Sequence, residues 1–372
     1  MTMTLDGTNG VTFNDTSLQA AAASPYVLKN RIINGDMVID QRNAGASVTA
    51  NDGVFPVDRF FYYAYVNNKG TLQQNAAAVT PPTGFYNYLG FTSSSTYSIG
   101  AGEALTICQK IEGFNTADLD FGKATAKTVT ISFWIRSSLT GTFGGSIQNS
   151  ARNRSYPFTY TISVANTWEQ KSVTIAGDTS GTWIGATNGV GMYLHFSVGT
   201  GTTYSGTASV WGSADYQSAT GATSVVGTNG ATFYITGVQL EIGSTATPFE
   251  RRLYNQEFAN CQRYFAKLGA NPNGSAAYQA YASGSLNTTS QANIALTFPQ
   301  FMRTSPTIAY SGTIGLSSAG AYSSLTTING VYTGVSSSLM QVTSGVVGTT
   351  GGGVVLLSNA DATAFLSLTA EL

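Results

Sequence analysis

A mainly β protein, with a jelly-roll β-sandwich, one short amphipathic helix and then a smaller distal β-domain, is the architecture this sequence predicts. Three observations predict it. Segments of alternating apolar residues separated by Gly, Asn, Ser and Thr turns fill residues 28–248. An abrupt charged amphipathic stretch follows Pro248. Beyond Leu268 only Arg303, Asp361 and Glu371 are charged, and the text becomes Ser/Thr/Gly/Val strands.

The chain has 372 residues, enough for two domains. Residues 1–27 are short, polar and without a core, so they form an arm that orders by docking; a strand is expected at 10–13. From 28 to 248 the strand candidates are Arg31–Ile33, Arg59–Tyr65, Ala104–Ile111, Thr128–Arg136, Tyr156–Val164, Gln170–Ile175, Val190–Val198 and Thr232–Ile242. The clearest is Thr128–Arg136, with Val129, Ile131, Phe133 and Ile135 on one face. So many antiparallel strands with long connections suggest a jelly-roll sandwich.

Residues 249–268 read as a helix and linker. Tyr254, Phe258, Cys261, Phe265 and Leu268 recur at steps of four and three, a heptad seam that must bury itself against its own sheet or copies of itself. Bulky aromatics in the seam suit a wider bundle, or packing against a neighbour's sheet, better than a tight dimer. Residues 269–372 form the distal domain, with strands expected at Ala292–Phe298, Thr307–Tyr310, Leu339–Val342, Val354–Leu357 and Phe365–Leu368.

Composition narrows function. Charged residues are 9% of the chain, against about a quarter in ordinary globular domains. Polar uncharged residues and Tyr must keep it in solution, as in extracellular β-proteins. The net charge of −1, without a basic cluster beyond Arg251-Arg252, argues against nucleic acid. No apolar run is long enough to insert in a membrane as a helix, and the N-terminus does not read as a secretory signal. Cys108 and Cys261 are expected as free buried thiols.

Catalytic constellations are sparse, and no catalytic residue is assigned. The single histidine, His195, sits among apolar residues in a strand. Carboxylate pairs for glycosidic cleavage would be Asp36 with Asp40, Asp118 with Asp120, or Glu241 with Glu250. Asp118 and Asp120 lie in a turn-like segment where Asp serves backbone hydrogen bonds.

Binding suits the composition better. Sugar rings pack their C–H faces on aromatic planes while amides and hydroxyls serve the ring hydroxyls. Trp183, Tyr204, Trp211 and Tyr216 lie in Gly/Ser-rich loops and are the glycan-binding candidates, against lid packing or subunit contacts. Trp134 reads as core. Tyr278, Tyr281, Tyr310, Tyr322 and Tyr332 give the distal domain either an adaptable recognition surface or an intersubunit core.

Particular motifs carry a resemblance. Asn34-Gly35-Asp36, then Thr167-Trp168-Glu169 with Ser172–Ile175, then Val238-Gln239-Leu240-Glu241 occur in the order found in carbohydrate-binding modules of the jelly-roll type. The segment Phe233–Phe265 resembles one in bacteriophage and prophage structural proteins, and residues 5–17 resemble leading segments of phage tail proteins. The resemblance implies a virion appendage, a tail fibre or tailspike-like adhesin, assembled in the host cytoplasm. It would be a homotrimer that attaches to tail or baseplate proteins through the N-terminal arm and binds host surface polysaccharide. The missing export signal fits release inside a particle. It also implies that Asp36 and Glu241 could contribute to a structural calcium site, though two carboxylates are too few to specify one; no other cofactor is expected. The alternatives are a non-adhesive head fibre or capsid decoration protein, and a polysaccharide depolymerase.

Overall fold

A computed structural model describes residues 29–270 and 277–372, and the backbone of three short antiparallel strands, Thr4–Asp6, Gly10–Thr12 and Leu18–Gln19. The expected attachment arm otherwise lies outside the described residues.

Two sheets pack face to face as a sandwich of jelly-roll type. One has five strands, in spatial order Ser155–Ile162, Gly141–Asn149, Val190–Thr200, Ala104–Glu112 and Phe60–Ala64. The other has six: Glu169–Ile175, Val129–Ser137, Thr232–Ile242, Leu89–Ser93, Gly70–Gln74 and Val48–Thr49. Strand side chains alternate between faces, so Val129, Ile131, Phe133 and Ile135 enter one core with Phe60, Tyr62, Ile107 and Phe196, all fully buried.

The segment Arg31–Ile33 is irregular chain that ends in a bend rather than the expected strand. The side chain of Asn30, just before it, takes the place of a ladder, accepting from Leu240 N–H at 3.0 Å and donating to Val238 O at 3.2 Å. Only Arg31 N–H reaches the neighbouring backbone, at Leu240 O. Beside it, Asn34 and Gly35 turn the chain against the closing strand. A Cβ on Gly35 would stand 2.2 Å from Val238 O, so only glycine lets the two backbones touch.

The helix α1 runs from Tyr254 to Gln262, which corrects the expected two-heptad seam. Arg263 and Tyr264 stop it by reaching the buried Glu112 of the sandwich, Arg263 at 2.9 and 2.6 Å and Tyr264 Oη at 2.5 Å. Phe265 and Leu268 therefore lie in a strand, Phe265–Gly269, and not on a helix. Cys261 is buried with Ile33, Ile39 and Tyr264, and Phe258 packs on the same cluster. The helix folds onto its own sandwich through Cys261 and Phe258, while Tyr254 stays exposed.

The strand Phe265–Gly269 opens the C-terminal unit, pairing with Phe365–Thr369, which also pairs with Thr307–Ser311. Around Ile294, Leu296, Leu316, Met340, Val342 and Leu356 closes a six-stranded barrel. Its order is Ala280–Leu286, Gln291–Thr297, Ser337–Ser344, Ala321–Thr333, Ile314–Ser318 and Gly353–Ser358.

A buried ionic seam joins the two units. Glu371, 9% exposed, pairs with Arg59 and, at 3.0 Å, with Arg42. Arg42 also reaches the buried Asp58 at 3.3 Å and lies 3.6 Å over the Phe265 ring. Arg303 donates to Ala370 O at 2.8 Å and Asn188 O at 2.8 Å, tying the barrel side to a sandwich loop.

Removing one partner of a buried pair leaves the other charge uncompensated, at a cost of about 3–5 kcal/mol. The Glu371→Ala variant is expected to lose stability on that scale in urea denaturation. A loss under about 1 kcal/mol would show the seam to be incidental.

Candidate functional site on the five-stranded sheet

The outer face of the five-stranded sheet carries polar and aromatic side chains in register. Phe61, Cys108, His195 and Ser146 stand side by side. So do Lys110, Tyr193 and Gln148 in one neighbouring row, and Tyr63, Thr106 and Ser197 in the other. Period two explains it: Phe60, Tyr62 and Ala64 point into the core, which sends Phe61, Tyr63 and Tyr65 out.

Tyr65, 43% exposed, stacks on Tyr204 with ring centroids 4.7 Å apart. Tyr63 meets Tyr65 edge-on at 5.6 Å, and their hydroxyls are 3.3 Å apart. Tyr193 stacks on His195 at 5.8 Å. Two cations border these rings. Arg152 donates to Tyr63 Oη at 2.5 Å and lies 3.6 Å from Asp215, while Lys110 Nζ sits 4.7 Å over Phe61. The result is a ridge of half-exposed aromatic planes with guanidinium, phenol and carboxylate groups along it. Such a surface can hold a C–H face and its flanking hydroxyls together.

Beneath the ridge, Thr106 Oγ1 lies 2.9 Å from His195 Nδ1, and Cys108 Sγ lies 3.8 Å from Nε2. Burial, then Arg152 and Lys110, push the imidazole down to a pKa of about 3, and burial pushes the Cys108 thiol up. Both groups are neutral at pH 7, so the pair is a hydrogen-bonded floor and no activated nucleophile.

The four predicted aromatics fall in three places. Tyr204 belongs to the ridge. Tyr216 packs the loop that covers part of the sheet, its ring so close to Gly206 that a Cβ there would stand 2.4 Å away. Trp183 and Trp211 meet elsewhere, edge-on at 5.6 Å, with Phe121 beside both. Trp211 also donates to Ala176 O at 2.8 Å and packs on Tyr156 at 5.1 Å. Phe61, Tyr63, Tyr65 and Tyr193 were not among the sequence candidates. The alternation in Phe60–Tyr65, with an aromatic at nearly every position, is the signal that could have found them.

The other candidates are occupied by structural contacts. Glu241 accepts from Thr247 N–H at 2.8 Å, Thr247 Oγ1 at 2.7 Å and Gln239 Nε2 at 2.8 Å, with Lys29 Nζ at 3.9 Å. An ammonium and three donors thus fill the acceptor positions a calcium ion would need. Asp36 lies in the turn against Glu257 and Arg251, and burial raises its pKa. Among the described residues no group of three or more His, Cys, Asp or Glu is placed to hold a metal. Asp118 pairs with Arg31 at 2.5 Å and Asp120 with Lys123 at 2.8 Å. Asp40 accepts from Asn43 and Gly45 N–H, and Glu250 from Lys29 and Asn30 N–H. In the barrel unit Tyr278 and Tyr332 are exposed, Tyr281 donates to Ala364 O, and Tyr322 and Tyr310 are half-buried.

The histidine under the ridge gives a pH dependence. Its folded pKa of about 3 lies below the ordinary 6.5, so acid favours the unfolded chain, which takes up the proton the folded one refuses. Stability therefore falls as pH drops from 6.5 towards 3. Asp58, pushed up to about 7 by burial, works in the opposite sense, its contribution being full below 3.8 and lost as pH rises through 7. A His195→Asn variant is expected to have a shallower acid limb of Tm against pH than the parent. An unchanged limb would show that other groups set it.

No family model matches the sequence, and no curated protein does. Several solved structures are similar to it. The enzymatically active domain of tailspike protein 4 of bacteriophage CBA120 is 14% identical over 57% of this chain, with a TM-score of 0.31. That match spans only 21% of the tailspike chain. A CBM4 carbohydrate-binding module is 14% identical over 56% of this chain and 98% of its own, with a TM-score of 0.28. The family 11 carbohydrate-binding module of Clostridium thermocellum, in complex with a mixed-linked β-1,3-1,4 tetrasaccharide, is 12% identical over 54% of this chain and 98% of its own, at 0.26.

Proposed function

We propose that this chain is a bacteriophage virion appendage, a tail fibre or tailspike-like adhesin, that binds host-surface glycan on the aromatic ridge of its sandwich. The observation that carries the binding part is the Tyr63–Tyr65–Tyr204 ridge with Arg152, Lys110 and Asp215 along it. Stacked phenols offer flat apolar faces at low entropic cost, and the charged groups beside them orient hydroxyls. The virion part is supported by the wording of residues 5–17 and of Phe233–Phe265. Each glycan contact is weak; several copies on one particle convert it to firm attachment.

Tyr65→Ala and Tyr204→Ala are each expected to weaken binding to isolated host-envelope polysaccharide by about 1 kcal/mol, roughly fivefold. Their Tm should stay within a few degrees of the parent. Unchanged binding, or a loss of stability that accounts for the lost binding, would overturn the assignment. Release of reducing sugar from the same polysaccharide would instead favour a depolymerase.

Attachment to the particle is tested separately. A truncation beginning at Pro25 is expected to keep the parent Tm and to be absent from purified particles. Density for the chain on the tail would support the adhesin reading, whereas density on the head would favour a head fibre or decoration protein.

A further inference from the structure

A cleft of about 270 Å³ opens at one end of the sandwich, apart from the aromatic ridge. Its walls are Leu119, Phe121, Trp183 and Met192, with Asp120 and Lys123 at the rim. The indole is held in place from behind. Trp183 Nε1 donates at 3.1 Å to Asp178, which is 1% exposed and also takes two bonds from Arg154 at 2.7 and 2.6 Å. Phe121 meets the indole edge-on at 4.9 Å, and Trp211 does so at 5.6 Å. Gly122, at φ +85°, lets the other wall approach, since a Cβ there would stand 2.7 Å from Gly181 O. This packing and hydrogen bonding fix the Trp183 ring before any ligand arrives, so little is lost in ordering it.

At the rim Lys123 Nζ donates to Asp120 Oδ1 at 2.8 Å and holds that carboxyl below its usual range. The carboxylate is ionised and can accept from hydroxyls. Lys123 pairs with the carboxylate and Lys127 acts on it from farther off, so a ring bound there needs no charge of its own to meet an acceptor. The volume equals that of about nine liquid waters, room within the walls for one sugar ring.

We propose that this cleft is a second carbohydrate subsite, taking a single neutral pyranose, a chain end or side branch, with its C–H face on Trp183 and its hydroxyls on Asp120. The inference rests on the reading of the chain as a glycan binder, and it deepens that reading. The ridge holds the length of a polysaccharide, while the cleft selects an end or a branch.

The test uses the full chain labelled with 5-fluorotryptophan, whose 4 tryptophans give ¹⁹F signals assignable by single Trp→Phe variants. Titrants are D-glucose, D-galactose, N-acetyl-D-glucosamine, L-rhamnose and D-glucuronate. At least one neutral sugar is expected to shift the Trp183 signal saturably at millimolar concentration. Asp120→Asn should weaken that binding about tenfold, a charge-assisted hydrogen bond lost. Ala117→Phe, which fills the cleft, should abolish it; Asp120→Asn keeps the test open should the bulkier variant not fold. A Trp183 signal that no neutral sugar moves, a shift that survives both variants, or tighter binding of glucuronate than of glucose would each overturn the proposal. The two sites fail separately. Polysaccharide binding that is lost in Tyr204→Ala, with a silent Trp183, sinks the cleft and keeps the ridge. A responsive Trp183 with polysaccharide binding indifferent to Tyr204→Ala does the reverse.

Discussion

Desolvation of charge is the constraint on which the arrangement of the two units depends. A chain with few charged residues has placed many of them inside, between the sandwich and the barrel: Arg42, Asp58, Arg59, Glu112, Arg263, Arg303 and Glu371. Each buried charge must find a partner or lose its charge. Arg42 has Asp58 within its own unit, but Arg59 and Glu371 come from different units and pair with each other, so that pair forms only when the units meet in one register. The helix stop obeys the same rule, because Glu112 recruits Arg263 and Tyr264 and thereby turns the chain into the barrel sheet.

Strands with strict alternation were legible. Val129 to Ile135 and Thr232 to Ile242 were read from the sequence almost to the residue. Gly141–Asn149 was not, because glycines occupy positions where an apolar residue would have marked the period. They are there for a tertiary reason: a Cβ on Gly145 would stand 2.3 Å from His195 O. The misread helix has a complementary cause. Spacing of three and four continues from Cys261 to Leu268, but the residues between, Arg263 and Tyr264, are committed to a carboxylate some 150 positions earlier. Local periodicity carries no information about such a partner.

The candidate site was half legible. Loop aromatics beside Gly and Ser stand out in a sequence, and Tyr204 does belong to the ridge. Tyr63, Tyr65 and Tyr193 sit within strands, where an aromatic is ordinarily credited to the core. Only the pairing of Phe61 with Cys108 and of Cys108 with His195 reveals which face they share. Trp183 was recognised as a loop residue, but the buried Asp178 and Arg154 that fix its ring are brought to it by the fold.

The closed barrel bears on how such a chain survives at high local concentration. Proteins usually stay apart through like-charge repulsion, and this C-terminal unit has almost no charge to offer. An open sheet of Ser, Thr and Val strands would present unpaired N–H and C=O groups to every neighbour, an invitation to stack without limit. Closing six strands on themselves leaves that part of the unit with no free rim to extend. Topology thereby does for solubility what electrostatics does elsewhere, and it would keep doing so in salt strong enough to screen any charge.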